Sequence, residues 1–386
     1  MADFKQTSRI VITCSKRLSP YLEKEVVELG YKPVRVFKTG VELTGTLIDC
    51  IRLNLNLRCG SQILFSLKEF EARDANELYE ELLHFAWENY IPADGYFSIS
   101  SNVSTPAITN TLFANVKVKD AIADRFRNKI NKRPDSGPET NRTVIHLYWK
   151  ENLAEIFMDT TGDTLSKHGY RKIPGKAPML ESLAAATLLA TNWNRRSWLI
   201  NPMCGSGTIA IEAALLATNR KPGLLRSNYS FMHVAGFEEK YYDTAFTELE
   251  QKVIDVPGLK IIASDMSQDA VNISKINAGI AGVEDLIEFE VGDFEKTTIP
   301  QENKGLIYFN PEYGDRLGVE VELEQTYRRM GDFMKKQCKG YTGYIFTGNL
   351  ELAKKIGLKP KRRIEFYTSK IDCRLLEYEL YEGSRE

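Results

Sequence analysis

From Trp198 to the C-terminus, short apolar runs alternate with helix-length stretches, and this alternation restricts the fold more than any other feature of the chain. The runs are WLIN, KIIASD, IEFEV, LIYFN and TGYIFTG, followed by two final strand-like segments. Strands that alternate with helices bury best as a largely parallel sheet covered on both faces, so a doubly wound α/β sheet is expected here. In such sheets ligands bind beyond the C-terminal ends of the strands. The residues that follow each run are therefore the first candidates for chemistry.

After the first run comes NPMCGSGTIAIEAALLA, a turn with two glycines that opens a helix. Gly205 and Gly207 can take backbone angles closed to other residues, and the helix N-terminus favours an electron-rich group. Asn201, Pro202 and Thr208 frame the same turn. Gly205, Gly207 and Ala210 also fit the G-x-G-x-x-A dinucleotide fingerprint, which alone is a weak signal. A dinucleotide fold wants an acid about 20 positions further on. Here the next strand ends only at Asp265, after an insertion containing PGLLRSNYSFMHVAGFEEKYYD. That delay disfavours NAD, whereas an acid ending the second strand suits the ribose hydroxyls of S-adenosylmethionine. A third strand ends in VGDF, which puts Asp293 and Phe294 where an adenine would lie.

The fourth run leads into NPEYGDRLG. Asn310, Pro311 and Tyr313 resemble the D/N-P-P-Y/F/W motif of methyltransferases that alkylate amino groups on planar bases. An exocyclic amine conjugated to a purine is a poor nucleophile because its lone pair is delocalised. If the Asn310 side-chain oxygen and the Pro311 carbonyl accept its N–H bonds, the nitrogen is drawn toward tetrahedral geometry and its lone pair is aimed. Tyr313 would stack on the extruded base. Glu312 stands where a second proline is usual, which leaves the stiffness of the turn open. A carboxylate there is also placed to meet a guanine Watson–Crick edge.

Upstream, residues 9 to 70 read as strand, helix, strand, strand, helix, strand, the order of a ferredoxin-like split βαβ. A second α/β stretch spans about 74 to 160 and contains YFSISSNVSTPAITNTLFANVKVKDAIADRFRNK, which resembles a THUMP domain, an RNA-binding module. The expected division is therefore 1–70 ferredoxin-like, 71–160 THUMP-like and 161–386 a class I, Rossmann-like methyltransferase domain.

Taken with HGYRKIPGKAPMLESLAAATLLATNW, the motifs NPMCGSGTIAIEAA and NPEYGDRLG make the chain similar to the THUMP-containing guanine-N2 RNA methyltransferases, in particular those acting on bacterial large-subunit ribosomal RNA. The resemblance implies S-adenosylmethionine as methyl donor and a guanosine in RNA as acceptor. Ribosomal RNA is favoured, with transfer RNA as the alternative.

With 51 basic against 52 acidic residues the formal charge is -1, so any surface for a polyanion must be local. One candidate is the segment holding His168, Arg171, Lys172 and Lys176, just before the glycine turn. Another is KKIGLKPKRRIEFYTSKIDCR, with Lys361, Arg362 and Arg363 at its centre, and a third runs from Arg125 to Arg142. Six scattered cysteines without C-x-x-C pairs or a histidine cluster suggest a reducing compartment and no metal. No run of 18 uncharged apolar residues occurs, so a cytoplasmic enzyme with neither membrane nor DNA as partner is expected. Two rivals stay open. One is a methyltransferase for DNA or protein amino groups, and the other is an RNA-binding assembly factor that keeps the fold without turnover.

Overall fold

The computed structural model describes residues 1–108, 110–173, 178–313, 320–368 and 371–382. The chain divides into two compact units. The first takes Met1–Cys14, Leu22–Leu165 and Pro222–Gln251, and the second Ser15–Tyr21, Ser166–Lys221 and Lys252–Glu386.

The first unit is built on β1 (Ser8–Thr13), α1 (Ser19–Glu28, from Leu22 onward), β2 (Arg35–Phe37), β3 (Gly40–Gly45), α2 (Leu47–Asn56) and β4 (Gln62–Glu71), the order expected of a split βαβ. It continues through α3 (Ala75–Leu83), β5 (Tyr96–Ser104), α4 (Thr111–Ile130), β6 (Asp135–Ser136), β7 (Thr143–Lys150) and β8 (Leu153–Asp159). Local chemistry fixes the helix ends. Thr46 and Asp49 form a capping box at α2, Asp74 caps α3, and Asn110 caps α4, which stops at Asn131 in the left-handed region. All eight strands join one sheet, in the order β2-β3-β1-β4-β8-β7-β5-β6. Antiparallel pairing of β4 with β8 runs from Leu64↔Asp159 to Glu71↔Leu153, so hydrogen bonds carry the sheet across the boundary expected at residue 70.

The second unit opens with α5 (Glu181–Leu189), β9 (Leu199–Pro202) and α6 (Thr208–Ala217). The chain then leaves it. Residues Pro222–Gln251, with α7 (Glu239–Gln251), lie inside the expected methyltransferase part but fold into the first unit. Their aromatic side chains explain this. Tyr229 and Phe231 are fully buried, the amides of Ser230 and Phe231 donate to the carbonyls of Thr161 and Thr160, and Phe4 stacks on Tyr241. After β10 (Ile261–Asp265) come α8 (Gln268–Ala281), β11 (Ile287–Val291), β12 (Leu306–Phe309), α9 (Glu320–Gln337), β13 (Thr342–Thr347), α10 (Leu350–Lys354), β14 (Arg362–Thr368) and β15 (Ile371–Glu379).

The second sheet has the order β11-β10-β9-β12-β13-β15-β14, parallel from β11 to β13 and antiparallel at β15 and β14. This is the expected doubly wound architecture. Successive connections step outward from β9 to β11 and then return to β12 on the other side of β9, which makes the β9/β12 boundary a topological switch point. Ile200, Ile262, Ile307, Phe309, Met330, Phe333 and Ile345 form the core beneath that edge. Among the described residues no helix is long and apolar enough to cross a membrane.

Candidate active site

Because β11, β10, β9 and β12 run parallel, the residues that follow all four lie along one edge of the sheet. The expected cofactor and catalytic residues come from these four ends.

At the end of β9 the backbone alternates in hand. Met203, Gly205 and Gly207 have φ of 58°, 55° and 83°. For Met203 this is an uncommon, strained conformation, of the kind that a well-braced functional turn sustains. The two glycines answer different needs. A Cβ on Gly207 would sit 2.0 Å from Ser274 Oγ on α8, so packing excludes one, whereas a Cβ on Gly205 would meet nothing within 4 Å. Gly205 faces open space that a ligand can enter. Asn201, nearly fully buried, donates from Nδ2 to the Tyr308 carbonyl at 2.9 Å, and its Oδ1 is buried with no hydrogen-bond partner.

Asp265, the last residue of β10, accepts the Gly205 amide at 3.0 Å on one oxygen and the Ser267 amide at 3.0 Å on the other. A carboxylate has about four lone-pair positions, so it keeps acceptor capacity for two further donors. Asp293, after β11, accepts from Glu295 N and pairs with Arg329 at 2.7 Å. Burial would raise its pKa, but the Arg329 guanidinium and the Glu295 N–H outweigh burial and hold the carboxyl below its ordinary value. Arg329 also pairs with Glu295 and lies 4.9 Å over the Phe294 ring. Nothing in the sequence marked this arginine, because only the docking of α9 brings it to the end of β11. Phe294 itself is corrected by the structure. Its ring is 6% exposed and packs edge-on against Phe309 and Phe333, so it serves the core and could reach a ligand only through its backbone.

Asn310 follows β12 directly. It is half-buried, and among the described residues its side chain has no hydrogen-bond partner. Pro311 is buried and Glu312 exposed. The Glu312 carbonyl accepts from the Tyr327 hydroxyl at 3.4 Å, and that hydroxyl lies 2.9 Å from Thr347 Oγ1. The half-buried Tyr313 ring packs edge-on near Phe346, against Gly348, with its hydroxyl 4.0 Å from Cys373 Sγ. Burial pushes the Tyr313 phenol well above its ordinary value, so it stays protonated. Cys204 in the glycine turn is likewise pushed up to about 12 by burial, so it is no nucleophile near neutral pH.

In the basic segment before the glycine turn, two of the four expected RNA contacts, His168 and Arg171, are turned inward. His168 is fully buried, with Nδ1 2.7 Å from Glu212 Oε1 on α6. Arg171 is nearly buried, donates to Thr208 Oγ1 at 2.9 Å and to the Met179 carbonyl, and pairs with Glu181 at 3.5 Å. Burial raises the Glu181 carboxyl, and Arg171 opposes it. The His168 ring and the Arg171 guanidinium therefore brace the N-terminal half of α6 from inside, at Glu212 and Thr208, and Thr208 is occupied by that brace. Lys172 is exposed, and Lys176 lies outside the described residues. In the second basic segment Lys361, Arg362 and Arg363 are all exposed, but Lys361 pairs with Glu379 at 3.3 Å and Arg362 with Glu377, its cross-strand neighbour. Those acids are distant in sequence, so a local charge count could not find them.

Comparison with known proteins agrees with this architecture. Residues 9–64 match an RlmL ferredoxin-like domain, 72–159 a THUMP domain and 168–377 an RMKL-like methyltransferase domain. A ribosomal RNA large subunit methyltransferase K/L from Syntrophotalea carbinolica is 33% identical over 96% of this chain and 53% of its own length. The chain thus spans about half the length of the curated relatives it matches. Among solved structures, a possible methylase from Clostridium difficile 630 superposes with a TM-score of 0.87 at 28% identity, covering 99% of this chain and 100% of that one. SMU.472, solved in complex with SAH, gives 0.87 at 26% identity, covering 98% and 100%. With its glycine turn, strand-end acids and Asn-Pro turn along one sheet edge, and with the family match spanning that whole edge, the chain belongs to the RMKL-like methyltransferase family.

Proposed function

We propose that this chain transfers the methyl group of S-adenosylmethionine to the exocyclic N2 amine of a guanosine in RNA, with large-subunit ribosomal RNA as the favoured substrate. The observation that carries the reading is Asn310. A polar side chain without a hydrogen-bond partner among the described residues stands at the switch point, one strand from the glycine turn. The name of the Syntrophotalea relative and the THUMP match support RNA, and ribosomal RNA in particular.

The residues present fit the cofactor. The space over Gly205 is open, Asp265 keeps acceptor capacity for ribose hydroxyls, and the buried Asn201 Oδ1 awaits a donor. Asp293 would face the adenine. Bound there, S-adenosylmethionine supplies an electrophilic methyl group. Asn310 Oδ1 and the Pro311 carbonyl accept the two N–H bonds of the guanine amine and turn its lone pair out of conjugation. Tyr313 meets the face of the extruded base. No side chain has to act as a base, because the amine can shed its proton to solvent after transfer. Residues 1–70 and 71–160 would hold the RNA, together with Lys172, Arg363 and the outer basic residues.

The test is transfer from labelled cofactor to total RNA, DNA and protein, followed by nucleoside analysis of the labelled fraction. N2-methylguanosine in large-subunit ribosomal RNA is expected. Label in DNA, in protein or on an adenine would reject the proposal, and label in transfer RNA alone would correct the substrate.

A further inference from the structure

The Asn310–Tyr313 turn lacks the second proline that similar turns carry, and proline would have fixed one backbone angle and reduced the freedom of the unfolded chain. The side chains packed behind the turn offer another way to hold it. We infer that Tyr327 is a positioning residue for methyl transfer, clamping the turn through the Glu312 carbonyl and so doing from α9 what proline would do from within the loop.

Proton accounting supports a directed chain of hydrogen bonds. The Asn349 amide donates to Thr347 Oγ1 at 3.1 Å, Thr347 Oγ1 lies 2.9 Å from Tyr327 Oη, and Tyr327 Oη lies 3.4 Å from the Glu312 carbonyl. A tyrosine hydroxyl has one proton to give. If it went to Thr347, the Glu312 carbonyl would lose this donor. Thr347 Oγ1 has one proton and two acceptors in reach, the Asn349 carbonyl at 3.4 Å and Tyr327 Oη at 2.9 Å; when it goes to the nearer Tyr327, the tyrosine proton is free for Glu312 and the links run in one direction. Both Tyr327 and Thr347 are fully buried, so water does not compete. Burial holds the Tyr327 phenol well above its ordinary pKa, and it stays a donor.

A second contact acts on the next residue. A Cβ on Gly348 would sit 2.9 Å from the Tyr313 ring, so the ring rests directly on the backbone at the end of β13. Glu312 and Tyr313 are thus fixed from behind, while Asn310 keeps its side chain without a partner among the described residues. Among the described residues the turn is held at Glu312 and Tyr313 and left without a partner at the side chain that the chemistry needs.

This inference rests on the catalytic reading of Asn310, and the experiment separates the two. Single-turnover methylation at saturating cofactor is measured on total RNA from cells lacking this gene, beside cofactor calorimetry and a thermal melt. Tyr327→Phe removes one oxygen. Its rate is expected to fall about tenfold, as for a reacting group displaced by a fraction of an ångström, with cofactor and RNA affinities nearly unchanged. Adding Glu312→Pro to Tyr327→Phe should restore most of the rate, which a merely structural loss would not allow. Thr347→Val breaks the same chain and should lower the rate too, and it replaces Tyr327→Phe if that variant does not fold. An unchanged rate in Tyr327→Phe beside an inactive Asn310→Ala overturns the clamp, as does a lowered rate that Glu312→Pro leaves where it is. Normal activity in Asn310→Ala overturns the catalytic reading and the clamp with it.

Discussion

Two stretches of the same sheet edge treat their polar groups in opposite ways. At the ends of β9, β10 and β11 most polar side chains are engaged by the protein itself, the Asn201 Oδ1 excepted. Asp265 is bound to two amides, Asp293 to Arg329, and Thr208 to Arg171. At the end of β12, Asn310 has no partner among the described residues, and the groups around it are tied down instead. A site that must receive a flexible nucleotide gains by being organised beforehand, since less order has to be imposed on binding. A group that must interact most strongly in the transition state gains by having no competing partner in the ground state. On the proposed reading the contrast separates holding the cofactor from moving the methyl group, and variants on each side should fail in different ways.

The largest effect is expected on the engaged side and on stability. Arg171→Ala removes the partner of a buried Glu181, one brace of the glycine-turn helix at Thr208 and a donor to the Met179 carbonyl, at a cost of about 3 kcal/mol. The loss should depend on pH. Burial already raises the Glu181 carboxyl, so the folded state binds its proton more tightly than the unfolded state does. That acid's contribution is fully present below its unfolded value of about 4.3 and is lost as pH rises through the higher folded value. Without Arg171 the decline should steepen. Thermal melts across pH 4 to 8 measure it, and Arg171→Met with Glu181→Leu should recover most of the stability. A variant as stable as wild type would mean that the brace is idle.

Next in size is Asn310→Ala, where turnover rather than folding should suffer. Loss of one positioned acceptor typically costs on the order of 100-fold in rate, while cofactor and RNA affinities should move only a few fold. Asn310→Asp keeps an acceptor oxygen and should retain partial activity. Near-normal single-turnover chemistry in Asn310→Ala would erase the contrast between the two stretches.

Asp265→Ala should lie between these in character, with weaker cofactor binding and little loss of fold. Hydrogen bonds to a charged acceptor are worth about 1.5 to 3 kcal/mol each, so calorimetry should show affinity lower by about tenfold or more. Loss of the Gly205 amide bond adds to this by loosening the turn. An unchanged dissociation constant in a folded variant would take Asp265 out of the cofactor site.

What could be read in the sequence divides along physical lines. Strand and helix order was legible because it rests on local periodicity of apolar residues. The placement of Gly205, Asp265 and Asn310 beyond the C-terminal ends of parallel strands was legible from the alternation of strand and helix runs, and such an edge is where ligands are expected. Long-range pairing was not. His168 and Arg171 look like solvent-facing cations until Glu212 and Glu181 are brought to them across the fold. Arg329, Tyr327 and Thr347 carry no local mark, since α9 and β13 meet the site only through packing. The passage of Pro222–Gln251 into the first unit was hidden for the same reason, because Tyr229 and Phe231 state that they need burial but not where.

The smallest expected effect extends the same comparison of engaged and unengaged groups to the basic run on β14. Counted along the sequence, Lys361, Arg362 and Arg363 are three equal phosphate ligands. In the fold Lys361 faces Glu379, Arg362 is held by Glu377, and Arg363 is exposed with no ion pair among the described residues. A cation already paired with a carboxylate gains less from a phosphate, because one partner is exchanged for another. Arg363→Ala should therefore weaken RNA binding a few fold and lower the salt slope by about one, as for one lost phosphate contact. Neutralising Lys361 and Arg362 as well should add little. A triple variant whose slope drops by about three would show that these ion pairs open to admit RNA, and no change in slope would make the run a solvated face. Arg362→Ala alone carries a separate signature, because it strands Glu377, which is nearly buried and receives the Tyr344 hydroxyl at 2.9 Å. That variant should lose thermal stability while its RNA affinity holds, the reverse of what Arg363→Ala should show.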